Sequence, residues 1–198
     1  GMIKRPEEIG KIIKTFDRAG YDVISAGQCV TGSILGDSPL DWDMYTECPQ
    51  EKIREMFPEG EPIGRRTTRI DYSRFVESQH VNEADHFEGV VADIITLEGP
   101  IEEQLQIYDF TCEALGEHAN GVLIDPVDGR KDIKQKLLKP VGNFRAKLKD
   151  KPELIWKALR YVGLYGFDLN REIYEAIQAN RERAVVVDKE IILFEFTS

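Results

Sequence analysis

The sequence has few cysteines, a deficit of positive charge and no long apolar run. No stretch of its 198 residues approaches the roughly 18 apolar residues that a membrane span needs, and its start lacks the apolar segment of a signal peptide. Cys29, Cys48 and Cys112 are scattered, without CxxC spacing. This pattern favours reduced thiols over a disulfide framework, so we expect a cytoplasmic protein that does not insert into a membrane.

The formal net charge of −10 argues against a broad basic surface. A polynucleotide partner would have to bind a local basic stretch, because counterion release from phosphates needs clustered Lys and Arg. The richest such stretch, residues 130–151, contains Arg130, Lys131, Lys134, Lys136, Lys139, Arg145, Lys147, Lys149 and Lys151. A solvated helix face explains this stretch equally well, and both interpretations stay open.

Hydrophobic periodicity predicts mostly strands before Gly99 and mostly helices after it. The elements expected before Gly99 are a helix between Pro6 and Gly20, a strand at 21–25, a helix at 30–35, a strand at 41–45, a helix at 50–56, and strands over 63–97 around a polar loop at 78–88. Those expected after it are a helix at 101–115, a strand at 122–125 and almost continuous helix from 132, with Pro152 opening one helix and Asn170 capping the next. This order predicts an α+β head followed by a helical extension.

Asp41, Asp43 and Asp93 are the strongest candidates for chemistry. The chain has 36 acidic residues, so an acidic-x-acidic triplet is weak evidence by itself. On a strand, however, residues two apart point to the same face, and two carboxylates there can hold one hard cation. Asp93 lies in a second predicted strand, among apolar neighbours where an unpaired carboxylate is costly. The three predict a Mg²⁺ or Mn²⁺ site for phosphoryl transfer, and the alternative is a solvent-facing strand with scattered acids.

Five motifs, in order from about residue 20 to residue 167, carry a family resemblance. Residues 27–32, 35–36 and 41–43 resemble GGxVRD, LLG and DxD, the opening motifs of class II tRNA nucleotidyltransferases (CCA-adding enzymes) and bacterial poly(A) polymerases. Residues 93–97 resemble the family strand that supplies a third acidic residue. Further matches are 105–115 to LxRRDFTINAL, 124–133 to IDPFGGxxDL and 158–167 to ALRF…GF.

The resemblance implies a fold, an activity and partners. The fold is a nucleotidyltransferase-type mixed β-sheet head flanked by helices, expected over residues 2–145, and a small all-helical neck over 146–198. The activity is metal-dependent transfer of a nucleotide from a nucleoside triphosphate to an acceptor hydroxyl, with an RNA 3′ end as acceptor. The implied catalytic and metal-binding residues are Asp41, Asp43 and Asp93. The implied nucleotide-binding residues are Gly27, Gln28, Thr31, Asp109, Lys157 and Arg160.

The chain departs from the family at positions that contact nucleotide in the family. The arginine and aspartate of GGxVRD fall on Thr31 and Gly32, and the second glycine falls on Gln28. The other departures are Ile107 and Tyr108 at two arginines, Glu113 at an asparagine, and Lys151, Leu154 and Lys157 in the neck. The carboxylates are therefore kept while most triphosphate and base contacts are changed. Arg65, Arg66 and Arg69 are candidate replacement phosphate ligands, with a solvated β edge as the alternative.

Two other functions stay open. The missing arginines favour a catalytically degenerate binding or regulatory protein, and the acidic surface favours an enzyme of the same fold with a small-molecule or protein acceptor. Weaker candidate sites are a metal cluster of His80, Asp85 and His86, which lacks ligand spacing, and a Cys112 nucleophile with His118. The apolar segment 191–194 is expected to dock on the neck, to pair with another copy in a homo-oligomer, or to belong to a longer protein.

Overall fold

The computed structural model describes residues 3–180, which divide into two compact units. Unit 1 contains the residues up to Leu105 together with Leu115–Ile124, and unit 2 contains Gln106–Ala114 and the residues from Asp125 onwards. None of the helices within residues 3–180 combines the length and the apolar character needed to cross a bilayer. The head and neck domains expected over 2–145 and 146–198 stay a prediction. The apolar segment 191–194 lies outside the described residues.

Unit 1 is built on a mixed β-sheet. Its elements are α1 (Glu7–Arg18), β1 (Val23–Ala26), α2 (Gln28–Ile34), β2 (Asp41–Thr46), α3 (Gln50–Met56), β3 (Glu61–Pro62), β4 (Thr67–Asp71), β5 (Arg74–Val76), β6 (His86–Glu88), β7 (Val91–Thr96), α4 (Ile101–Leu105), β8 (Gly116–Glu117) and β9 (Leu123–Ile124). Within the described residues, one sheet has the strand order β3-β4-β7-β2-β1-β8-β9, while β5 and β6 form a separate hairpin. Strands β2 and β7 run parallel, and their outer neighbours β1 and β4 pair antiparallel to them. The predicted α+β class with a mixed sheet is confirmed.

The core of unit 1 follows the apolar periodicity of the sequence. Helix α1 buries Ile9, Ile12 and Phe16, which recur at helical spacing on one face. The ring of Phe16 packs against that of Phe57, with centroids 5.5 Å apart. Burial of this stripe, rather than helix propensity alone, holds a helix of this length in place.

Unit 2 is mostly helical. Its elements are a 3-10 turn (Thr111–Glu113), α5 (Gly129–Gln135), β10 (Leu137–Leu138), α6 (Phe144–Asp150), α7 (Leu154–Tyr165), β11 (Asp168–Leu169) and α8 (Arg171–Ala179). Its core contains the rings of Phe110, Phe144, Tyr161 and Phe167, whose contacting pairs have centroids 5.3 to 6.1 Å apart. The side chain of Asn170 accepts a hydrogen bond from the Ile173 amide at 3.0 Å. The predicted cap of α8 is therefore confirmed.

The helix predicted over 101–115 is wrong beyond Leu105. The backbone of Phe110 is extended and forms an isolated bridge with Pro140. The Thr111 amide donates to the Lys139 carbonyl and the Val141 amide donates to the Asp109 carbonyl, both at 2.9 Å. These long-range bonds satisfy backbone groups that a continuous helix would have used, so tertiary pairing overrides the local helical pattern.

Two further expectations need correction. The polar loop predicted over 78–88 ends in strand β6, because residues 86–88 pair with residues 74–76. The almost continuous helix predicted from residue 132 is interrupted by β10 and β11, which form a parallel pair. Strands β6, β10 and β11 are only two or three residues long, which is too short to give a sequence periodicity.

Candidate active site

Asp43 and Asp93 lie side by side on the parallel strands β2 and β7, where they are register partners. Asp41 precedes Asp43 by two residues on β2, so its side chain leaves the same face of the sheet. The opposite faces of the two strands bury Trp42, Met44 and their counterparts on β7. Burial of these apolar residues fixes which face the three carboxylates occupy, because a one-residue slip would invert both faces.

The three carboxylates line one pocket of about 270 Å³ on this face. The remaining lining residues are Trp42, Arg69, Asp71 and Val91. The structure thus brings together Asp41, Asp43 and Asp93, which the sequence analysis proposed as a group. The pocket also contains Asp71, which was not predicted from the sequence. Asp71 is two residues from Arg69 on β4, a spacing that the sequence shows. Its pairing with Val91 on β7 depends on the strand register, which the sequence does not show.

Arg69 is paired with Asp93. Its Nε and one terminal nitrogen donate to the two oxygens of Asp93 at 2.9 and 3.1 Å. The two residues are direct partners across β4 and β7, and hydrogen bonding and attraction to Asp93 raise the pKa of Arg69 further above its ordinary value. Arg65 and Arg66 instead approach Glu98, at 2.8 and 3.5 Å. The three arginines proposed as phosphate ligands therefore all have carboxylate partners within their own unit.

The carboxylate oxygens suit Mg²⁺ or Mn²⁺ in kind, since hard cations prefer oxygen ligands. The carboxylates do not all converge on one metal position. Within residues 3–180, no group of three His, Cys, Asp or Glu side chains is arranged to hold a metal ion. Both oxygens of Asp93 are engaged by Arg69. The donors therefore fit a hard cation at Asp41 and Asp43, with Asp93 held by an arginine.

Gly27, Gln28 and Thr31 surround the start of α2. Gly27 has φ +80° and ψ −143°, a conformation that is essentially restricted to glycine. Gln28 is exposed, whereas Thr31 is buried and its hydroxyl donates to the Gly27 carbonyl at 3.2 Å. The Thr31 hydroxyl thus bonds to the backbone at the start of its own helix. The family motif has an arginine at this position. Cys29, between them, is buried, and burial raises the pKa of its thiol to about 12.

In unit 2, Asp109 and Lys157 contact each other as part of a charged cluster. The ammonium of Lys157 lies 3.2 Å from Asp109 and 2.9 Å from Glu113. Lys151 approaches Asp109 at 3.5 Å, and the hydroxyl of Tyr161 donates to Glu113 at 2.8 Å. Glu113 has no exposed surface. Glu113 departs from the asparagine of the family motif, and no pattern in the sequence indicated that it would be the centre of this cluster.

The pKa values of Lys157 and Tyr161 are both raised in this cluster. Burial lowers the pKa of Lys157, but attraction to Glu113 and Asp109 outweighs burial, so the net shift is upward. Burial and the charge of Glu113 both raise the pKa of Tyr161, which keeps the phenol a hydrogen-bond donor. Arg160, the remaining residue predicted to bind nucleotide, is exposed on α7.

Asp125 has a structural role at the start of α5. Its two carboxylate oxygens accept from the amides of Gly129 and Arg130, at 2.7 and 3.2 Å, and so tie the chain to the start of α5. Gly129 is packed so closely that a Cβ atom would lie 2.0 Å from the Thr111 carbonyl oxygen. This close approach explains a glycine inside the family's IDPFGG segment.

The weaker candidate sites have other partners. Asp85 accepts from the Ser78 amide at 2.7 Å and His86 contacts Glu88 at 3.0 Å, both exposed. His118 contacts Asp22 at 2.6 Å. Burial raises the pKa of the Cys112 thiol, which disfavours the thiolate that a nucleophile needs.

A mixed sheet that sets carboxylates side by side on two adjacent parallel strands is the fold of the nucleotidyltransferase class. Residues 24–139 match the family described as the poly A polymerase head domain. The chain belongs to this family, as the sequence motifs predicted.

Curated relatives of the chain are named CCA-adding enzyme and poly(A) polymerase I. The chain is 27% identical over 189 residues to the CCA-adding enzyme of Geobacillus sp. (strain WCH70), covering 93% of this chain and 47% of that enzyme. It is 28% identical over 183 residues to poly(A) polymerase I of Escherichia coli O6:H1, covering 84% of this chain and 39% of the relative. The chain spans less than half the length of these relatives.

Solved structures share the fold. The Bacillus stearothermophilus CCA-adding enzyme in complex with CTP matches with a TM-score of 0.68 at 24% identity, over 96% of this chain and 47% of that chain. The Thermotoga maritima CCA-adding enzyme complexed with tRNA matches with a TM-score of 0.66 at 21% identity, over 88% and 43%.

Proposed function

We propose that the chain transfers a nucleotide from a nucleoside triphosphate to an acceptor hydroxyl, with an RNA 3′ end as the acceptor. The observation that carries this proposal is the pairing of Asp43 with Asp93, with Asp41 on the same face of the same pocket. Family membership supports it, as do relatives named CCA-adding enzyme and poly(A) polymerase I. Two of the structural neighbours are complexes with CTP and with tRNA, and we extend to this chain a nucleoside triphosphate and an RNA 3′ end as partners.

Different residues of this chain would bind the metal ion and the nucleotide. Asp41 and Asp43 would hold Mg²⁺ or Mn²⁺, and such an ion, when bound, neutralises phosphate charge and lowers the pKa of the acceptor hydroxyl. The sheet fixes the spacing of the two carboxylates before substrate arrives, so little reorganisation is needed. We assign nucleotide-binding roles to Gly27, Gln28 and Thr31 of unit 1. Within unit 2, taken by itself, we assign such roles to Asp109, Lys157 and Arg160. We also propose that residues 2–145 act as the head and 146–198 as the neck.

The test is extension of a short RNA primer with each nucleoside triphosphate, in Mg²⁺ and in Mn²⁺. Asp41→Asn and Asp43→Asn should lower the rate by about a hundredfold or more, because each removes a charged oxygen ligand. Asp17→Asn, an exposed change on α1, is the matched control and should leave the rate unchanged. Extension that survives both pocket substitutions would contradict the proposal.

A second function, binding without transfer, is favoured by one observation. The residues expected to contact nucleotide are engaged within the chain: Lys157 pairs with Asp109 and Glu113, and the Thr31 hydroxyl bonds to its own helix. Binding of Mn²⁺ without incorporation of any nucleotide would favour this alternative.

We also infer weak binding of whole tRNA and a cytoplasmic location. The net charge of −10 opposes a phosphate backbone, whose binding needs clustered cations. Filter binding that gave nanomolar affinity for tRNA at moderate salt would contradict the first inference. The three buried cysteines, none of which is in a disulfide, support the second.

A further inference from the structure

The carboxylate pocket already contains a cation that belongs to the protein. Four carboxylates line it, those of Asp41, Asp43, Asp71 and Asp93, together with the guanidinium of Arg69. Arginine remains charged at any pH at which the protein is folded. The pocket is therefore partly neutralised before any metal ion arrives.

The position of Arg69 is set by the backbone of the sheet. Strand β7 places Asp93 between two partners, Arg69 on β4 and Asp43 on β2. Direct cross-strand partners have side chains on the same face, so the three form one row. Because the register of β4 and β7 puts the arginine opposite the aspartate, their contact does not depend on a flexible loop.

The contact of Arg69 with Asp93 uses both oxygens of the carboxylate. Two parallel N–H···O bonds of 2.9 and 3.1 Å join them, and this bidentate geometry is the stronger arrangement for an arginine–carboxylate pair. The Asp93 side chain is 21% exposed and that of Arg69 is 45% exposed, so solvent only partly screens the pair. A metal ion at Asp93 would have to break both bonds and accept a neighbouring positive charge.

We propose that Arg69 is the resident cation of Asp93, and that the pocket consequently takes one divalent ion, held by Asp41 and Asp43. This inference rests on the proposed function, because it concerns the same pocket. It adds a detail to that function: Arg69 occupies the position beside Asp93 that a second metal ion would otherwise take. Arg69 is a positioning residue in this scheme: it holds Asp93 and sets the charge of the pocket.

The experiment is a count of Mn²⁺ ions bound per chain, by calorimetry and by electron paramagnetic resonance of the free ion. The wild-type chain should bind one ion. Arg69→Gln should bind two, because the substitution releases Asp93 and removes the competing charge. Arg69→Lys, which keeps the charge, should bind one, and Arg69→Gln combined with Asp93→Asn should return to one.

Arg65→Gln is the matched control. Arg65 is also an arginine paired with a carboxylate on the same unit, at Glu98, but it does not line the carboxylate pocket. Its variant should bind one ion, which separates a local effect from a general change of net charge. Thermal unfolding without metal checks that Arg69→Gln is folded, and Mn²⁺ should raise the melting temperature of this variant more than that of the wild type.

The outcomes separate this inference from the proposed function. Two ions in the wild type, or one ion in Arg69→Gln, would overturn the role of Arg69 while primer extension in Mn²⁺ still supported nucleotide transfer. An absence of both Mn²⁺ binding and primer extension in the wild type would overturn both proposals. A second ion that appears in Arg69→Gln and disappears on Asp93→Asn would support the inference even in a chain that incorporates no nucleotide.

Discussion

The hydroxyl of Tyr161 donates a hydrogen bond of 2.8 Å to Glu113, a carboxylate with no exposed surface. Lys157 approaches the other oxygen of Glu113 at 2.9 Å. A buried charge is costly unless it is paired and hydrogen-bonded. The two contacts therefore make the interior of unit 2 dependent on a small polar network as well as on its apolar side chains.

Replacement of Tyr161 by phenylalanine should destabilise the chain. The change keeps the ring and removes the donor, so the buried Glu113 loses one hydrogen bond, at a cost of about 1–3 kcal/mol. The measurement is the free energy of unfolding in urea. Tyr174→Phe is the control, since Tyr174 is 51% exposed on α8, and it should change the free energy little. Equal values for the two variants would mean that the hydrogen bond contributes nothing net.

Replacement of Lys157 by methionine should cost about 3 kcal/mol at pH 8, because it removes the ammonium that lies 2.9 Å from the buried Glu113. The pKa of Lys157 is raised in the folded state above its ordinary 10.5. A raised pKa means that the stabilisation is full below the unfolded pKa and is lost as pH rises through the folded value.

The pH dependence provides the check on Lys157. Urea unfolding of the wild type and of Lys157→Met should be followed from pH 8 to above the ordinary lysine pKa of 10.5. The difference between their free energies of unfolding should be constant at the lower end and shrink at the upper end. A difference that stayed constant or grew with rising pH would show that the ammonium charge is not what stabilises the cluster.

Replacement of Gly129 by alanine should strongly destabilise the fold. The added Cβ atom would lie 2.0 Å from the Thr111 carbonyl oxygen, and backbone on both sides would have to move, which we expect to cost about 3 kcal/mol or more. Gly10→Ala on α1 is the matched control, because its Cβ atom would have no neighbour within 4 Å. Alanine there should stabilise by about 0.5–1 kcal/mol. Equal melting temperatures for the two variants would contradict the close packing of Gly129.

If the chain transfers nucleotides, it should discriminate poorly between bases and should not build an ordered CCA end. The family resemblance implies that a carboxylate and an arginine of the neck read the base, and these positions fall on Lys151 and Leu154. Leu154 is buried and apolar, and Lys151 lies 3.5 Å from Asp109. Loss of such a bidentate contact should remove about 1–3 kcal/mol of discrimination.

Single-nucleotide extension with each triphosphate separately measures this discrimination. Rates for the four nucleotides should lie within about two orders of magnitude of one another, given that loss. Strict addition of C, C and then A would instead show that other residues read the base.

The sequence predicted several periodic elements of unit 1 well. Helix α3 was expected at 50–56 and is observed at Gln50–Met56, and strand β2 was expected at 41–45 and ends one residue later. The grouping of Asp41 with Asp43 follows from strand spacing alone. The family motifs then led correctly to the mixed sheet, because several of them occur in the right order.

Contacts between elements were beyond the reach of the sequence. The pair of Arg69 with Asp93 depends on the register of β4 against β7, across 24 positions of chain, and sequence patterns do not fix a register between distant strands. The cluster around Glu113 likewise depends on the packing of α7 beside the 3-10 turn. Tyr161 on α7 and Glu113 in the turn are 48 positions apart in the chain. In both places, a contact with a distant residue gives a charged partner to a side chain whose partner the sequence did not indicate.

The hairpin of β5 and β6 leaves the sheet and returns to it at nearly the same point. Asp71 and Val91 are paired partners, and the Tyr72 amide donates to the Val90 carbonyl at 2.9 Å. Gly89 has φ +92°, and a Cβ atom on it would lie 2.3 Å from the Tyr72 carbonyl oxygen. The backbone pairing at the base of the hairpin therefore separates its tip, near the fully exposed Val81, from the row of carboxylates. The hairpin of residues 73–88 is accordingly a suitable place for an insertion. A peptide tag or a fluorophore placed there should leave the register of β4 and β7 unchanged.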